Sequence, residues 1–153
     1  MTQSERFVLA LSGGIGGAKL ALGLYRILPP GALTVVANTG DDFEHLGLAI
    51  SPDIDTLLYA LAGLDNLELG WGRRDETWTF MKALGSLGGE TWFNLGDGDL
   101  ATHIERTRRL AAGESLSQIT LGKLAGIMQQ PIGKFSPYSR TDLRNQSHRC
   151  QAV

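Results

Sequence analysis

The fold is decided by the stretch Phe7-Val8-Leu9-Ala10-Leu11-Ser12-Gly13-Gly14-Ile15-Gly16-Gly17-Ala18-Lys19. Its first five residues are apolar or small, which predicts a buried strand, and Leu20 to Leu28 carries apolar residues at helical spacing. Four glycines at the corner allow positive φ and close approach of a ligand to the backbone. The N–H groups and positive dipole end of the following helix favour phosphate. We therefore expect nucleotide phosphates here, with a plain tight turn as the alternative.

This corner follows neither of the two best-known phosphate-binding patterns. Lys19 stands where the dinucleotide pattern G-x-G-x-x-G has its third glycine. Ala18 and Leu20 replace the second glycine and the Ser/Thr of the P-loop pattern. Because that missing hydroxyl ligates magnesium in P-loop enzymes, a metal ion here would need carboxylates from elsewhere in the chain.

Composition limits the class of protein. The chain has 153 residues, 42% of them hydrophobic, and a net charge of −2, which fits one globular domain and argues against nucleic acid or an anionic membrane as partner. One cysteine, Cys150, excludes an internal disulfide framework and suits a reducing compartment. No apolar run approaches the ~20 residues of a membrane span. We expect a cytoplasmic protein with no nucleic-acid or membrane partner.

A second strand completes a βαβ unit. Pro29-Pro30-Gly31 stops the first helix, and Leu33 to Ala37 reads as another buried strand. This order predicts a right-handed crossover in a parallel sheet, whose ligands bind beyond the carboxyl ends of the strands. Those ends carry the glycine corner and Asn38-Thr39-Gly40-Asp41-Asp42. Asp41 and Asp42 could ligate magnesium, hold a ribose hydroxyl, or only form a turn.

The next segment predicts a capped helix. Ser51 fits the N-cap, Pro52 the first helical position, and Gly63 the C-terminal end. Capping accounts for one of the two acidic residues of the first turn, so a ligand contact by Asp53 or Asp55 stays open.

The remaining elements are read from caps and apolar runs. We expect a helix from Asp75 to Gly85, a third strand from Thr91 to Leu95, and a helix Leu100 to Ala112 capped by Asp99. Arg106, Arg108 and Arg109 would form the outer face of that helix. A last helix would start at Ser115 or Ser117 and reach about Ile127. We interpret His45 as a surface-loop residue and His103 as lacking partners.

Three strands are fewer than a doubly wound sheet usually has. We therefore predict an α/β, Rossmann-like, mostly parallel sheet flanked by helices, with part of the sheet missing from residues 1–128. Residues 129–153 have no apolar period and a basic surplus, which predicts an irregular or disordered tail.

Four ordered blocks carry a resemblance to a known family. They are Ala10 to Leu20, Val36 to Asp42, Ile50 to Tyr59, and Trp92 to His103 with the sequence Trp-Phe-Asn-Leu-Gly-Asp-Gly-Asp-Leu-Ala-Thr-His. Together they resemble the 2-phospho-L-lactate transferases of deazaflavin coenzyme biosynthesis. The resemblance implies a magnesium-dependent transfer of a phospholactyl or enolpyruvyl-phosphate group. The donor would be a guanosine diphosphate carrier, the acceptor the ribityl hydroxyl of the deazaflavin Fo, and the released product GMP, in coenzyme F-420 biosynthesis.

The resemblance also implies roles for single residues. It assigns acceptor binding to Asp55 and to Asn94, a position that is commonly basic in the family, and Gly98 stands where the family usually has Arg. Together with the reading of the loops, the expected sites are nucleotide binding by Gly13, Gly14, Gly16, Gly17, Lys19 and Asn38, acceptor binding by Asp55, Asn94 and Asp53, and Mg²⁺ binding by Asp41 and Asp42. No catalytic residue is assigned.

Two other interpretations stay open. One is a nucleotide- or sugar-phosphate-binding regulator without catalysis, and the other is an inactive truncated or frame-shifted product. For a full-length form we expect a homodimer.

Overall fold

The computed structural model describes residues 7–120 and 122. The elements are β1 (Val8–Ser12), α1 (Gly14–Ile27), β2 (Leu33–Ala37), β3 (Phe43–His45), β4 (Leu48–Ile50), α2 (Pro52–Ala62), α3 (Thr79–Ser86) and α4 (Asp97–Ala111). Within the described residues, every helix is too short or too polar to cross a membrane.

The βαβ unit forms as predicted. β1 and β2 pair in parallel with the register Val8 to Leu33 and Ser12 to Ala37. Helices α1 and α2 pack together, and their apolar side chains share one core with the inward side chains of the two strands. On the opposite side of β1, Leu9 and Leu11 remain 58% and 73% exposed. A doubly wound sheet is covered on both faces, whereas here one face of β1 is uncovered. The predicted incomplete, Rossmann-like α/β fold is therefore confirmed.

The glycine corner belongs largely to the helix. Because α1 begins at Gly14, three of the four glycines lie in its first turn. Among the four, positive φ occurs at Gly14 (+60°), whereas Gly13 is extended (φ −144°). Gly17 serves close packing, since a Cβ there would lie 2.9 Å from Ser12 Cα and 2.7 Å from its Oγ. The expectation of positive φ therefore holds at one glycine.

A short hairpin, absent from our sequence prediction, follows β2. β3 pairs antiparallel with β4 around a turn at Leu46 and Gly47, both at positive φ. Leu46 is not one of the residues that normally signal such turns, which explains why the pattern did not predict it. Ile50 at the end of the hairpin forms a second small core with Met81 and Leu95.

The predicted third strand, Thr91 to Leu95, is wrong. Residues 91–95 form no strand. Trp92 and Phe93 instead pack their rings against the hairpin, with centroids 4.9 Å (Trp92) and 5.9 Å (Phe93) from the His45 ring. The apolar run thus reflects packing onto β3 rather than pairing in the sheet. His45 is buried in this cluster, which corrects its interpretation as a surface-loop residue.

The predicted caps of two helices are also wrong. Asp75 does not start α3, which begins at Thr79 and is capped by a carboxylate from α4: Asp97 accepts the N–H groups of Thr79 and Phe80 at 3.2 and 3.0 Å. Hydrogen bonds from the Thr77 hydroxyl and the Phe80 N–H hold the pKa of Asp97 below its usual value.

The N-terminus of α4 is capped in turn by a carboxylate from the segment before α3. This helix begins at Asp97 rather than Leu100, and its Gly98 N–H donates to the Glu76 carboxylate at 2.6 Å. The two helix N-termini therefore cap each other through residues about 20 positions apart, a relation that local sequence patterns do not encode.

The last helical turn starts where predicted. Ser115 and Gln118 form a reciprocal capping box, with Ser115 N donating to Gln118 Oε1 at 2.9 Å and Gln118 N to Ser115 Oγ at 3.3 Å. The predicted continuation to Ile127 and the predicted irregular tail, residues 129–153, lie outside the described residues.

Candidate nucleotide and acceptor site

The ends of β1 and β2 are joined by side chains from the following loops and from α2. Asp53 Oδ1 accepts the N–H of Gly14 at 2.8 Å, and Asp53 Oδ2 accepts from Asn38 Nδ2 at 2.7 Å. The same Asn38 nitrogen donates to Asp41 Oδ2 at 2.9 Å, and its amide oxygen accepts from Gly40 N. The fold therefore brings the glycine corner, Asn38 and Asp41 together at one edge, as predicted for a βαβ unit, and Asp53 of α2 joins them there.

The N-terminus of α1 already holds an anionic group. The first N–H of the helix points at the Asp53 carboxylate, and a Cβ on Gly13 would lie 3.4 Å from Asp53 Oδ2. Unpaired N–H groups and the helix dipole stabilise negative charge at this end. A phosphate group fits the same preference, because its oxygens accept the same hydrogen bonds.

Asp42 lies beside this edge and has an unusual proton affinity. Its Oδ2 accepts the Ser51 hydroxyl at 2.9 Å, so Ser51 occupies the N-cap position of α2 without a side-chain bond to the helix. Although Asp42 is exposed as a residue, neighbouring atoms partly remove its carboxylate from water, and this raises its pKa to about 6. The charges of Asp55 and Asp53 add a smaller rise, opposed by the Ser51 hydroxyl and by Arg106.

Asp55 lies deeper, in a buried ion pair with α4. The Arg106 guanidinium donates to both Asp55 carboxylate oxygens, through Nη1 to Oδ2 at 2.9 Å and through Nη2 to Oδ1. The two residues are 1% and 5% exposed, respectively. The prediction that Arg106 belongs to an outer face is therefore wrong, although Arg108 beside it is exposed. Burial acts to lower the pKa of Arg106, but the Asp55 carboxylate outweighs it and holds that pKa above its usual value.

The buried network continues through His103. This ring is 1% exposed, with Nε2 3.2 Å from Asp99 Oδ2 and Nδ1 3.7 Å from Asp55 Oδ2. Tyr59 donates its hydroxyl to Asp99. Burial opposes ionisation of Asp99, yet the His103 and Tyr59 contacts hold its pKa below the usual value. Burial first, and then the carboxylates of Asp55 and Asp99, raise the pKa of Tyr59. His103 thus has partners, and Asp99 is not the cap of α4, contrary to both predictions.

Sequence spacing contained a signal for this network. Asp99, His103 and Arg106 recur at intervals of four and three residues, which places them on one face of α4. That face points at α2 and the hairpin, where Arg106 also donates to the Ala49 carbonyl at 3.3 Å.

Two groups of residues offer ligand atoms for a metal ion. Among the described residues, Asp55, Asp99 and His103 bring candidate ligand atoms within 4.8 Å of one another. Arg106 already neutralises Asp55 within this group, so its charge and hydrogen bonds do not fit a divalent cation. At the sheet edge, Asp41 and Asp42 offer carboxylate oxygens near the N-terminus of α1, each with its own hydrogen-bond donor, Asn38 and Ser51 respectively. Carboxylate oxygens are ligands that Mg²⁺ usually takes together with substrate phosphates and water.

Asn94 and Lys19 lie in different places. Asn94 is exposed in an open cleft of about 530 Å³ between the loop before α3 and the segment after it. Asp55 is buried in its ion pair with Arg106, and Asp99 lines a cavity that shares Asn94. Of the three predicted acceptor residues, Asn94 is therefore exposed, Asp55 is buried, and Asp53 contacts the glycine corner. Lys19 is exposed on α1 and lines a small cavity with Thr56.

The glycine at position 98 is matched by a neighbouring cation. A Cβ on Gly98 would lie 1.7 Å from Arg73 Nη1, so the guanidinium of Arg73 fills the space above this glycine. Arg73 pairs there with Glu76 at 3.2 Å. Arg73 therefore occupies the space into which a side chain at position 98 would extend, with its charge paired to Glu76.

Fold and site together define an α/β protein with a glycine-rich strand-to-helix corner and carboxylates at the same sheet edge. The sequence profile of one known family, 2-phospho-L-lactate transferase CofD, matches residues 8–146 of this chain. The chain belongs to this family.

Individual relatives agree with that assignment. The chain is 50% identical over 114 residues to a phosphoenolpyruvate transferase of Streptomyces avermitilis, a match that covers 74% of this chain and 36% of the relative. It is 48% identical over 122 residues to that of Thermobifida fusca and 45% identical over 127 residues to that of Mycobacterium tuberculosis. Each of these two matches covers 74% of this chain and 38% of the relative. The chain therefore spans little more than a third of the length of these relatives.

Proposed function

We propose that this chain forms the donor- and acceptor-binding part of a transferase in coenzyme F-420 biosynthesis. The reaction moves a phospholactyl or enolpyruvyl-phosphate group from a guanosine diphosphate carrier to the deazaflavin Fo. The observation that carries the proposal is the N-terminus of α1, which holds a carboxylate in an anion position beside two further aspartates. Membership of the transferase family supports it.

The proposed reaction is a displacement at phosphorus. The terminal ribityl hydroxyl oxygen of Fo attacks the phosphorus that carries the three-carbon acid, and the bond from that phosphorus to the oxygen of GMP breaks. The hydroxyl proton passes to solvent, and GMP leaves with the electrons of the broken bond. Protein groups in such transfers mainly position the reactants and offset charge. The Gly14 N–H and the dipole of α1 bind the phosphates of the guanosine diphosphate carrier. In this structure the Asp53 carboxylate takes the hydrogen bond from that N–H in their place. Asn38 orients Asp41 and Asp53 through its amide.

Mg²⁺ is part of this proposal, with Asp41 and Asp42 as its protein ligands. When bound, the ion offsets the negative charge of the phosphates. Two observations support this assignment. The side chains at the edge of the sheet offer carboxylate oxygens, and in the other candidate group, Asp55, Asp99 and His103, Arg106 already neutralises Asp55.

The deciding experiment incubates the full chain with Fo, the guanosine-linked donor and Mg²⁺. We expect GMP release together with a new phosphodiester on Fo, detected by mass spectrometry. GMP release without modified Fo would contradict the proposed transfer, because the donor would then be only hydrolysed. Gly14→Ala is the matched variant: positive φ at this position disfavours any side chain, so GMP release should fall with it.

The pH dependence of Mg²⁺ binding gives a second prediction. The pKa of Asp42 is about 6, so this carboxylate is largely protonated below that pH and the ion must displace its proton. In the presence of GDP, the apparent Mg²⁺ affinity should weaken roughly tenfold per pH unit below about 6 and level off above about 7. Calorimetry between about pH 5 and pH 8 measures this. Asp42→Asn should make the dependence shallower, leaving the part that comes from protonation of the GDP phosphate, whose own pKa is about 6. An unchanged profile in that variant would remove Asp42 from the ligand set.

A nucleotide-binding regulator without transfer is the second candidate. It is favoured by the Asp55–Arg106 pair, which occupies a carboxylate that acceptor binding is expected to use. Calorimetry with GDP, a UDP-sugar and Fo separates the two functions. Tight binding of the UDP-sugar with no binding of Fo would favour the regulator.

A further inference from the structure

Ser51 stands where a helix cap is expected but makes a different hydrogen bond. It occupies the N-cap position of α2, directly before Pro52, where a serine oxygen normally accepts an N–H of the first helical turn. That bond is not made, and the Ser51 hydroxyl instead donates to Asp42 Oδ2 at 2.9 Å. A hydroxyl has one proton to donate, so the donor of Ser51 is committed to a carboxylate nine positions earlier in the chain.

The backbone around Ser51 is held on both sides. Its carbonyl accepts the N–H of Asp55 at 3.0 Å, a bond of the first turn of α2. Two residues earlier, both backbone groups of Ala49 are bonded by α4: the N–H donates to Thr107 Oγ1 at 2.8 Å, and the carbonyl accepts from Arg106 Nη1 at 3.3 Å. Ser51 itself is 2% exposed. The hydroxyl is therefore presented from a fixed and buried position.

The backbone at Asp42 is less firmly held. This residue is exposed in the loop between β2 and β3, where its N–H donates to the Thr39 carbonyl at 3.4 Å, a long distance for such a bond. The Ser51 hydroxyl fixes one of the two carboxylate oxygens of Asp42, so the other, Oδ1, is presented in a set direction. A carboxylate oriented in this way loses less conformational freedom when it binds an ion.

The Ser51 hydroxyl also acts on the charge of the carboxylate. Removal from water is the main influence on the pKa of Asp42 and raises it, and the Ser51 hydrogen bond is the largest influence that lowers it. Metal ligands must be deprotonated, so this bond favours the form that binds a cation. Asp41 has a donor of the same kind, the Asn38 amide at 2.9 Å. Both donors are neutral, so they orient the two aspartates without cancelling their charge.

We propose that Ser51 is a positioning residue of the Mg²⁺ site and acts on the ion through Asp42. This inference rests on the proposed function, because the ion and its carboxylate ligands belong to that function. It adds a residue that contacts neither the ion nor the phosphates: the hydroxyl orients the carboxylate, and the carboxylate binds the ion. Loss of a hydrogen-bond partner behind a metal ligand typically costs about 10–100-fold in metal affinity.

Calorimetry of Mg²⁺ binding to the full chain, with GDP at a saturating concentration, tests the proposal. Ser51→Ala should weaken Mg²⁺ binding by about tenfold or more, because the carboxylate loses its fixed orientation. Ser51→Thr keeps a hydroxyl and should stay within about threefold of the wild type. Ser86→Ala is the matched control: that exposed hydroxyl donates to the Lys82 carbonyl on α3 instead, and its removal should leave Mg²⁺ affinity unchanged.

A double-variant cycle separates positioning from damage to α2. In chains that already carry Asp42→Asn, Ser51→Ala should change Mg²⁺ affinity by less than about twofold, since the residue through which it acts has lost its charge. Ser51→Cys, which keeps the volume of the side chain with a weaker donor, should show an intermediate loss in the wild-type background. Thermal unfolding of the same chains reports on the fold independently of the ion.

The possible outcomes distinguish this inference from the transfer reaction. Coupled effects of Ser51 and Asp42 on Mg²⁺ binding, in a chain that transfers nothing to Fo, would support the inference and contradict the proposed transfer. Wild-type Mg²⁺ affinity in Ser51→Ala would overturn the inference, and so would an equal loss with and without Asp42→Asn. A loss in Ser51→Thr as large as in Ser51→Ala, or a wild-type chain that binds no Mg²⁺ in the presence of GDP, would also overturn it.

Discussion

Arg106→Met should lower the free energy of unfolding by about 3–5 kcal/mol, since it leaves the Asp55 carboxylate buried without its counter-ion. The methionine keeps most of the volume of the side chain, so the loss reflects charge rather than a cavity. Removing the guanidinium should also raise the pKa of Asp42 above about 6, because Arg106 now lowers it. Urea unfolding measures the first effect, and the pH profile of Mg²⁺ binding measures the second.

Two further variants separate the ion pair from general damage to α4. Arg108→Met alters an exposed arginine that pairs with Glu105 on the same helix and should leave the unfolding midpoint unchanged. The double variant Arg106→Met with Asp55→Leu should recover much of the lost stability, as replacing both members of a buried pair by apolar groups often does. A single variant as stable as the wild type would show that Asp55 does not depend on Arg106.

The part of the fold that sequence predicts well is local. The apolar run before the glycine corner, the Pro29-Pro30-Gly31 stop and the next apolar run set β1, α1 and β2. Their order then determines the position of the site, because parallel strands place their carboxyl ends at one edge. Asn38 and Asp41 lie beside the glycine corner for this reason, whereas Asp53 reaches the corner from α2, a contact that the order of the strands does not predict.

The remaining features depend on contacts between distant segments. Asp97 and Glu76 resemble ordinary acidic residues near helix starts, yet each caps the other's helix. The Thr91 to Leu95 run has the composition of a strand, and its aromatic rings pack on a hairpin that no turn motif announces. Arg106 looks like part of a basic surface until Asp55 is placed opposite it. In each case the two partners lie between 17 and 51 positions apart in the chain, so a local pattern cannot show the contact.

Gly17→Ala should cost about 1–3 kcal/mol of stability and weaken GDP binding by at least about tenfold. The new Cβ would lie 2.9 Å from Ser12 Cα and 3.0 Å from its carbonyl carbon, both backbone atoms at the end of β1. Neither atom can move without shifting the strand, so the first turn of α1 must separate from the sheet. That movement would displace the Gly14 N–H from the position where it holds Asp53 and where a phosphate would bind.

Gly16→Ala provides the matched control one residue earlier. A Cβ there meets no atom within 4 Å, and alanine favours helix over glycine, so stability should rise by up to about 1 kcal/mol with GDP affinity retained. Thermal unfolding and GDP calorimetry on both variants compare the two glycines under the same conditions. If Gly17→Ala loses GDP affinity while Gly16→Ala keeps it, phosphate binding at the corner requires the close packing of α1 against the end of β1. Equal loss of GDP affinity in both variants would instead mean that the ligand contacts the exposed side of the first turn, where Gly16 lies.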